Sequence, residues 1–258
     1  MIEIDGLVKR FGSLTAVGGL SLKVTKGEVL GFLGPNGAGK STTMKMITGF
    51  LAPTAGRIRV AGFNVAESPI EAQRKIGYLP EGAPAYGDMT PAQFLEFIAD
   101  VRGLVHDQRK TAIATAIKRT DLTAVLEQPI DTLSKGFKRR VGLAQAILHD
   151  PPVLIMDEPT DGLDPNQKHS VRQLIRAMAP QKATIISTHI LEEVEAICTR
   201  AVIIDRGRIV ADGPIEGRQI SFKVPGRGGA EPRTVAADTT RLDVVFRELT
   251  TPDAKAGS

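Results

Sequence analysis

The feature that most constrains this chain is a glycine-rich loop between a strand-like and a helix-like segment. Val29 to Leu33 is an apolar run typical of a buried strand, and Lys40 to Thr48 has a helical pattern. The residues between them, Gly34 to Ser41, fit G-x-x-x-x-G-K-[ST]. In such a loop the glycines let successive backbone N–H groups face one anion, and the helix N-terminus adds its positive end. The sequence therefore predicts a nucleotide-phosphate site on an α/β fold.

Each position of this phosphate loop has an expected role. We expect the Lys40 ammonium to reach the β- and γ-phosphates and the Ser41 hydroxyl to hold Mg²⁺. The glycine spacing differs from the G-x-G-x-x-G of a dinucleotide site. The other residues expected to bind the nucleotide are Gly34, Pro35, Asn36, Gly37, Ala38, Gly39 and Thr42.

Two adjacent acids follow a second buried strand. Val153 to Met156 is apolar on both faces, as a central parallel strand must be, and Asp157 and Glu158 come next. Because ligands bind outside the carboxyl ends of strands in open α/β sheets, these acids belong at the nucleotide. We expect Asp157 to hold Mg²⁺ through water and Glu158 to polarise an attacking water as general base.

The hydrophobic pattern divides the chain into regions. Strand patterns fill residues 1–33, and helical patterns begin at Thr90, a cap residue followed by proline. We predict one domain over residues 1–213, with a helical subdomain at about 88–150, and a tail over 214–258. In the tail, a cap at Thr240 precedes an apolar face of Leu242, Val245, Phe246 and Leu249, which predicts a short amphipathic helix. It could dock on its own chain or on a second copy.

Composition excludes several classes of protein. The 258 residues carry 33 basic and 29 acidic side chains, a net charge of +4, which is too even for a basic nucleic-acid coat. The single Cys198 permits no internal disulfide and is expected to be a small buried hydrophobe. No apolar run approaches the roughly 18 residues of a membrane helix, and no signal-peptide pattern opens the sequence. We expect a cytoplasmic protein that contacts a membrane through a partner.

Further motifs resemble those of ABC ATPases and occur in the family's order over residues 1–213. Leu133 to Ala144 resembles the signature motif, Asp161 to Asp164 the D-loop, and Ile76 to Glu81 the Q-loop. His189 resembles the family's switch histidine. Phe11 lies where the family stacks an aromatic ring on adenine.

The resemblance implies a fold and an activity. The fold would be a P-loop ATPase with a mixed-sheet core, an antiparallel β subdomain and an inserted helical subdomain. The activity would be ATP hydrolysis with Mg²⁺, with Glu158, His189 and Lys40 as catalytic residues. Ser134 and Gly136 would bind the ATP of a second copy, so that a homodimer closes around two ATP molecules. Closure would drive an integral membrane transporter subunit, by resemblance an exporter, on the inner face of the cell membrane.

Two departures from the family pattern stand at the site. Glu81 replaces the usual Q-loop glutamine; its carboxylate could contact Mg²⁺ or, without a metal, repel the γ-phosphate. Lys135 replaces the first glycine of the signature motif, and Phe137 its glutamine. Both departures recur in the exporter-like branch, among which the gliding-motility and copper-enzyme-maturation types are most similar. We expect a working but altered site.

The alternative function is a soluble ABC-type ATPase that acts on nucleic acid or ribosomes, or as an assembly factor. Residues 81–101, where transporter ATPases receive their membrane partner, contain four acids and no Lys or Arg. Because phosphate backbones are bound by cations, this face favours a transporter and no nucleic-acid partner.

Several surface features remain open at this level. The run Lys138 to Arg140 is either a solvated helix face or a patch that attracts a partner or phosphates. Tyr86, in a loop, favours a partner contact, whereas Phe94 and Phe97 fit a core or an interface equally.

Overall fold

The computed structural model describes residues 1–216, 219–224, 233–238, Phe246 and Thr250. Two sheets and seven α-helices make up these residues. The strands are β1 (Ile2–Phe11), β2 (Leu14–Val24), β3 (Val29–Leu33), β4 (Ala55–Val60), β5 (Phe63–Asn64), β6 (Ile76–Leu79), β7 (Val153–Asp157), β8 (Ala183–Thr188), β9 (Arg200–Asp205), β10 (Arg208–Glu216), β11 (Gln219–Val224) and β12 (Arg233–Asp238). The helices are α1 (Lys40–Ile47), α2 (Pro69–Arg74), α3 (Pro91–Val101), α4 (His106–Thr120), α5 (Lys135–Ile147), α6 (Pro165–Met178) and α7 (Leu191–Ile197).

The larger sheet holds the predicted buried strands at its centre. Its order is β12-β11-β10-β9-β3-β8-β7-β6, and the strands from β9 to β6 run parallel. Every residue of β3 and β7 is buried, as their apolar sequences predict. The carboxyl ends of these two strands therefore place the phosphate loop and the acid pair at one edge of the sheet.

A smaller antiparallel sheet, in the order β2-β1-β4-β5, packs over the phosphate-loop helix. Buried residues of β1 and β2, such as Ile2, Ile4 and Leu22, lie in a core shared with α1 and with Leu30 and Phe32 of β3. This core anchors α1, whose N-terminus opens the phosphate site. The mixed sheet, the antiparallel sheet and the inserted helices confirm the predicted fold class.

The middle of the chain is helical, as predicted. Thr90 caps α3 in a capping box with Gln93, and Asp164 caps α6 with Gln167 in the same way. Helix α5 lies against β6 so closely that a Cβ at Gly77 would be 2.0 Å from the Ala146 carbonyl oxygen. The glycine thus permits the contact that brings α5 to the sheet.

The region after Gly213 differs from the sequence-based expectation in one respect. Strand β10 continues through Gly213, and β11 and β12, which the sequence analysis did not predict, extend the large sheet. Ile220 and Phe222 of β11 are fully buried in the core. Of the predicted tail helix, Phe246 is helical and packs against this core. Its other predicted members, Thr240, Leu242, Val245 and Leu249, lie outside the described residues.

The basic run on α5 is not a solvated face. Arg139 and Arg140 are 3% and 8% exposed, and both donate to backbone carbonyls of other segments. Lys138 donates to the Asp131 carbonyl. Of the two alternatives for this run, the solvated face is therefore wrong for the two arginines, and burial equally prevents them from attracting a partner at the surface.

The three aromatic residues of the segment before and within α3 differ in their exposure. Phe94 is buried in the core, whereas Phe97 and Tyr86 are 38% and 54% exposed. Cys198 is buried, and burial raises the pKa of its thiol, which fits the predicted small hydrophobe.

Candidate nucleotide site

The phosphate loop has the backbone geometry that its glycines predict. Gly37 and Gly39 have φ values of 79° and 103°, in the left-handed region that glycine favours. A Cβ at Gly39 would also lie 2.6 Å from the Ala16 carbonyl oxygen. A second segment, the β9–β10 turn, contacts the loop through the Gly207 N–H, which donates to the Ala38 carbonyl at 2.9 Å. The loop is thus fixed by two neighbouring segments.

A cavity of about 310 Å³ opens beside this loop. It brings together segments that are far apart in sequence: β2, the phosphate loop, the start of α1, the segment after β6 and the end of β7. The lining residues are Ala16, Asn36, Gly37, Gly39, Lys40, Ser41, Thr42, Glu81, Asp157 and Glu158. Six of the predicted loop residues, both predicted acids and the Q-loop carboxylate therefore share one cavity, whereas Gly34, Pro35 and Ala38 are not among its lining residues.

Lys40 is folded into the curl of the loop. Its Nζ donates to the carbonyls of Gly34 at 2.7 Å and Pro35 at 3.1 Å, and the residue is 7% exposed. Burial lowers the pKa of Lys40, while the carboxylates of Glu158, Asp157 and Glu81 act in the opposite direction. The ammonium thus lies between the loop and the acids, where a phosphate chain would need a cation.

The two acids at the end of β7 have different surroundings. Asp157 is 3% exposed and accepts a hydrogen bond from the Ser187 hydroxyl of β8. Glu158 has a φ of 50°, an unusual conformation for a non-glycine residue, which costs of the order of 1–3 kcal/mol. Its N–H donates to the Ser187 carbonyl at 3.0 Å, and its carbonyl accepts from the Asp161 N–H at 3.0 Å. These bonds hold the strained turn that sends the Glu158 carboxylate into the cavity.

His189 lies against the predicted general base. Its Nδ1 is 2.7 Å from Glu158 Oε1. Because a carboxylate can only accept, Nδ1 carries the proton of this hydrogen bond. The sequence predicts both residues at the site, and the structure brings them into contact.

The cavity offers oxygen donors suited to a hard divalent cation. The Ser41 hydroxyl and the Asp157 and Glu81 carboxylates line it, and Mg²⁺ prefers such ligands together with waters and phosphate oxygens. Within the described ranges, no group of three or more His, Cys, Asp and Glu side chains forms a metal cage. This donor set fits an ion that arrives with the nucleotide.

The signature residues lie at the start of α5, where Ser134 is exposed and Gly136 is buried. The Ser134 hydroxyl caps α5 by accepting from the Phe137 N–H at 3.3 Å. Gly136 is packed so closely that a Cβ there would be 2.6 Å from Gln167 Oε1. Neither Ser134 nor Gly136 is among the described residues that line the cavity. Ser134 and Gly136 therefore have no direct part in the cavity of their own chain.

Phe11 and Lys135 also lie outside the cavity lining. The Phe11 ring at the end of β1 is 49% exposed, with the Lys9 ammonium 5.1 Å from its centroid. Lys135 Nζ forms a 2.7 Å ion pair with Asp161, and its stem covers Gly162. The residue that replaces the family's glycine thus bridges the signature and D-loop segments of one chain.

Three residues of the site were missed from sequence. Ala16 lines the cavity without any sequence signal. Ser187 lies near the end of β8, the strand beside β7. The rule that ligands bind outside the carboxyl ends of parallel strands points to it. Arg139 contacts the backbone around the acids, but it was interpreted only as part of a charge run.

Comparisons with known proteins agree with this geometry. Residues 17–161 match the family model described as ABC transporter. The chain is 38% identical over 214 residues to the linearmycin resistance ATP-binding protein LnrL of Bacillus subtilis, covering 83% of this chain and 69% of that protein. It is 38% identical over 213 residues to the Nod factor export ATP-binding protein I of Paraburkholderia xenovorans, covering 82% and 70%.

A solved structure agrees with these matches. It is an ATP-binding subunit of an ABC transporter, which superimposes with a TM-score of 0.78 at 31% identity and covers 83% of this chain and 90% of that one. In the described part of the chain, no helix has the length and apolar character needed to cross a membrane. The chain therefore belongs to the ABC transporter family, as an ATP-binding subunit with ATPase activity.

Proposed function

We propose that this ATPase powers an exporter, as a homodimer docked on a separate membrane subunit. The observation that carries the proposal is the composition of the cavity. One chain supplies the phosphate loop, Lys40 and the acid pair, but its own Ser134 and Gly136 lie outside. The relatives named for linearmycin resistance and Nod factor export support the direction of transport.

The chemistry follows from the residues around Glu158. The phosphate loop and Lys40 would bind the β- and γ-phosphates, and Glu158 would accept a proton from the attacking water. His189 would hold the Glu158 carboxylate through the 2.7 Å bond. Ser41, Asp157 and Glu81 would hold Mg²⁺, which when bound offsets phosphate charge. Phe11 would support the adenine ring.

The dimer supplies what a single cavity lacks. Ser134 and the N–H groups that begin α5 form an exposed helix N-terminus, which favours an anion. In a dimer these groups would meet the γ-phosphate held by the second copy. ATP would then lie between the two chains, and hydrolysis would release them.

The membrane subunit would dock on the segment from Glu81 to Val101. Tyr86 packs edge-on against Phe97, with ring centroids 5.5 Å apart, yet Tyr86 remains 54% and Phe97 38% exposed. Val101, at the end of α3, is 66% exposed. Residues 81–101 contain no Lys or Arg, and the neighbouring Arg109 of α4 is already paired with Glu96 and Asp100. Exposed rings rather than free cations therefore mark this patch, which favours an apolar protein segment over a nucleic acid. Docking there would hold the protein on the inner face of the membrane.

Sedimentation of the full chain tests the dimer. Glu158→Gln should remain monomeric with ADP and become dimeric with ATP, because binding persists while hydrolysis is slowed. Lys40→Ala, which weakens phosphate binding, is the matched control and should stay monomeric with either nucleotide. A monomer at every ATP concentration that saturates Glu158→Gln contradicts the proposed dimer.

Co-purification tests the docking face. Tyr86→Ala should keep the basal ATPase activity of the isolated chain and weaken its recovery with the membrane subunit. Val105→Ala, which removes an exposed apolar side chain beyond α3, is the control. Equal recovery of wild type and Tyr86→Ala contradicts this docking face.

A further inference from the structure

One buried guanidinium joins three segments beneath the nucleotide cavity. Arg139 Nη1 donates to the Pro80 carbonyl at 3.1 Å and to the Asp157 carbonyl at 3.4 Å. Its Nη2 lies 3.8 Å from the Asp161 carboxylate. The side chain is only 3% exposed. A helix residue thus reaches the segment after β6, the end of β7 and the loop that follows.

Each of these contacts lies beside a residue that lines the cavity. Pro80 immediately precedes Glu81, and Asp157 immediately precedes Glu158. Asp161 is tied to the same turn because its N–H donates to the Glu158 carbonyl at 3.0 Å. The backbone positions of Glu81 and Glu158 therefore both depend on where the guanidinium sits.

The charges around Arg139 explain why an arginine suits this position. Burial lowers its pKa, and the carboxylates of Asp161, Glu158, Asp157 and Glu81 act against that shift. A guanidinium stays charged and presents its donors in a fixed planar fork, so it can bond several oxygens at set angles. An amide or an ammonium cannot hold all three segments in this way.

The next residue on the same helix provides a natural comparison. Arg140 is also buried, but its Nη1 donates to the carbonyl and carboxylate of Asp121, at the end of α4. These bonds stay within the helical layer. The two arginines share chemistry, helix and burial, but only Arg139 bonds the segments that carry Glu81 and Glu158.

We propose that Arg139 is a positioning residue for ATP hydrolysis: its guanidinium fixes the segment that carries Glu81 against the turn that carries Glu158. It does not touch the nucleotide cavity itself. The inference rests on the proposed role of Glu158 as general base, and it is independent of the direction of transport and of the membrane partner.

Steady-state ATP hydrolysis by Arg139→Gln and Arg140→Gln tests this role. Misplacing a catalytic group by about 1 Å can cost roughly 100-fold, so we expect kcat of Arg139→Gln to fall between about tenfold and 100-fold. Its KM should change little, because the phosphate loop and Lys40 are untouched. Arg140→Gln should lower the melting temperature but keep the wild-type kcat. Unchanged kcat in Arg139→Gln, or an equal loss in both variants, overturns the proposal.

A double-mutant cycle with Glu81→Gln separates positioning from general damage. If Arg139 acts by placing Glu81, the change in kcat caused by Glu81→Gln should shrink when Arg139 is already glutamine. Strictly additive effects on the logarithm of kcat overturn the proposed link to Glu81.

Amide hydrogen exchange keeps the proposal testable if Arg139→Gln does not fold. Arg139→Lys keeps the charge but loses the planar fork. The amides of Glu81 and Gly82 and those of Glu158, Thr160 and Asp161 should then both exchange faster than in wild type, while α1 should not change. Wild-type exchange in both segments overturns the proposal.

Discussion

At the scale of single residues, His149 combines burial with an incomplete hydrogen-bond set. Its Nε2 donates to the Ile76 carbonyl at 3.1 Å, and its Nδ1 is buried without a partner among the described residues. Burial, followed by the nearby Arg102 guanidinium, lowers the pKa of His149 to about 4. Protonation would place a charge and an unpaired N–H in the core.

A stability titration tests this residue. The pKa of His149 in the folded state is below its usual 6.5. Above pH 6.5 the residue is neutral in both states, so the folded protein has the full stability that neutral His149 allows. This stability decreases as the pH falls towards 4, by up to about 3 kcal/mol at 1.36 kcal/mol per unit. His149→Gln should flatten urea-unfolding stability between pH 7 and 4, whereas exposed His106→Gln should not. Identical pH profiles for wild type and His149→Gln would contradict this explanation.

At the scale of elements, the contact between β6 and α5 depends on a missing side chain. A Cβ at Gly77 would meet the Ala146 carbonyl at 2.0 Å, and neither backbone can move without disturbing a core. Gly77→Ala should therefore lose more than the 1–3 kcal/mol or so typical of overpacking. Gly18→Ala is the control, since its Cβ would meet only side-chain atoms of Arg208 and Thr15, at 3.4 Å or more. Equal denaturation midpoints for both variants would contradict the close packing.

Elements with strong local signals could be predicted from sequence. Strands β3 and β7 are apolar at nearly every position, and Thr90 and Asp164 start helices as their caps predict. Strand β11 was missed although Ile220, Phe222 and Val224 alternate with polar residues. The alternation predicts a strand. Because no turn motif links these six residues to a neighbouring strand, the sequence does not show which sheet the strand joins.

In the candidate site, too, residues in contiguous motifs could be predicted, whereas residues that act through distant contacts could not. The phosphate loop and the acid pair carry their chemistry in contiguous residues, so a pattern locates them. Arg139 could not be placed, because its acceptors at Pro80 and Asp157 are 59 and 18 residues away in sequence. Whether a charge run is solvated or buried depends on such acceptors, which only the fold brings together.

At the scale of the whole molecule, β11 and β12 complete the core without touching the cavity. Phe222 and Ile220 are fully buried. The last residue in sequence that lines the cavity is Glu158. Ending the chain after Glu216 should therefore keep ATP binding and lower the melting temperature. Each lost core side chain should cost about 2 kcal/mol. Calorimetry of the truncated chain and of full-length Phe222→Ala would measure this, and a folded truncated chain that no longer binds ATP would contradict it.

The central claim is that this chain hydrolyses ATP with Glu158 as the base in a cavity built by the phosphate loop. The most direct measurement compares kcat and ATP affinity of wild type, Glu158→Gln and Glu192→Gln, whose carboxylate pairs with Arg172 on the exposed surface. Loss of a general base should lower kcat of Glu158→Gln by at least about 100-fold with ATP affinity retained. Glu192→Gln should turn over ATP like the wild type. Near-wild-type turnover by Glu158→Gln would contradict the account.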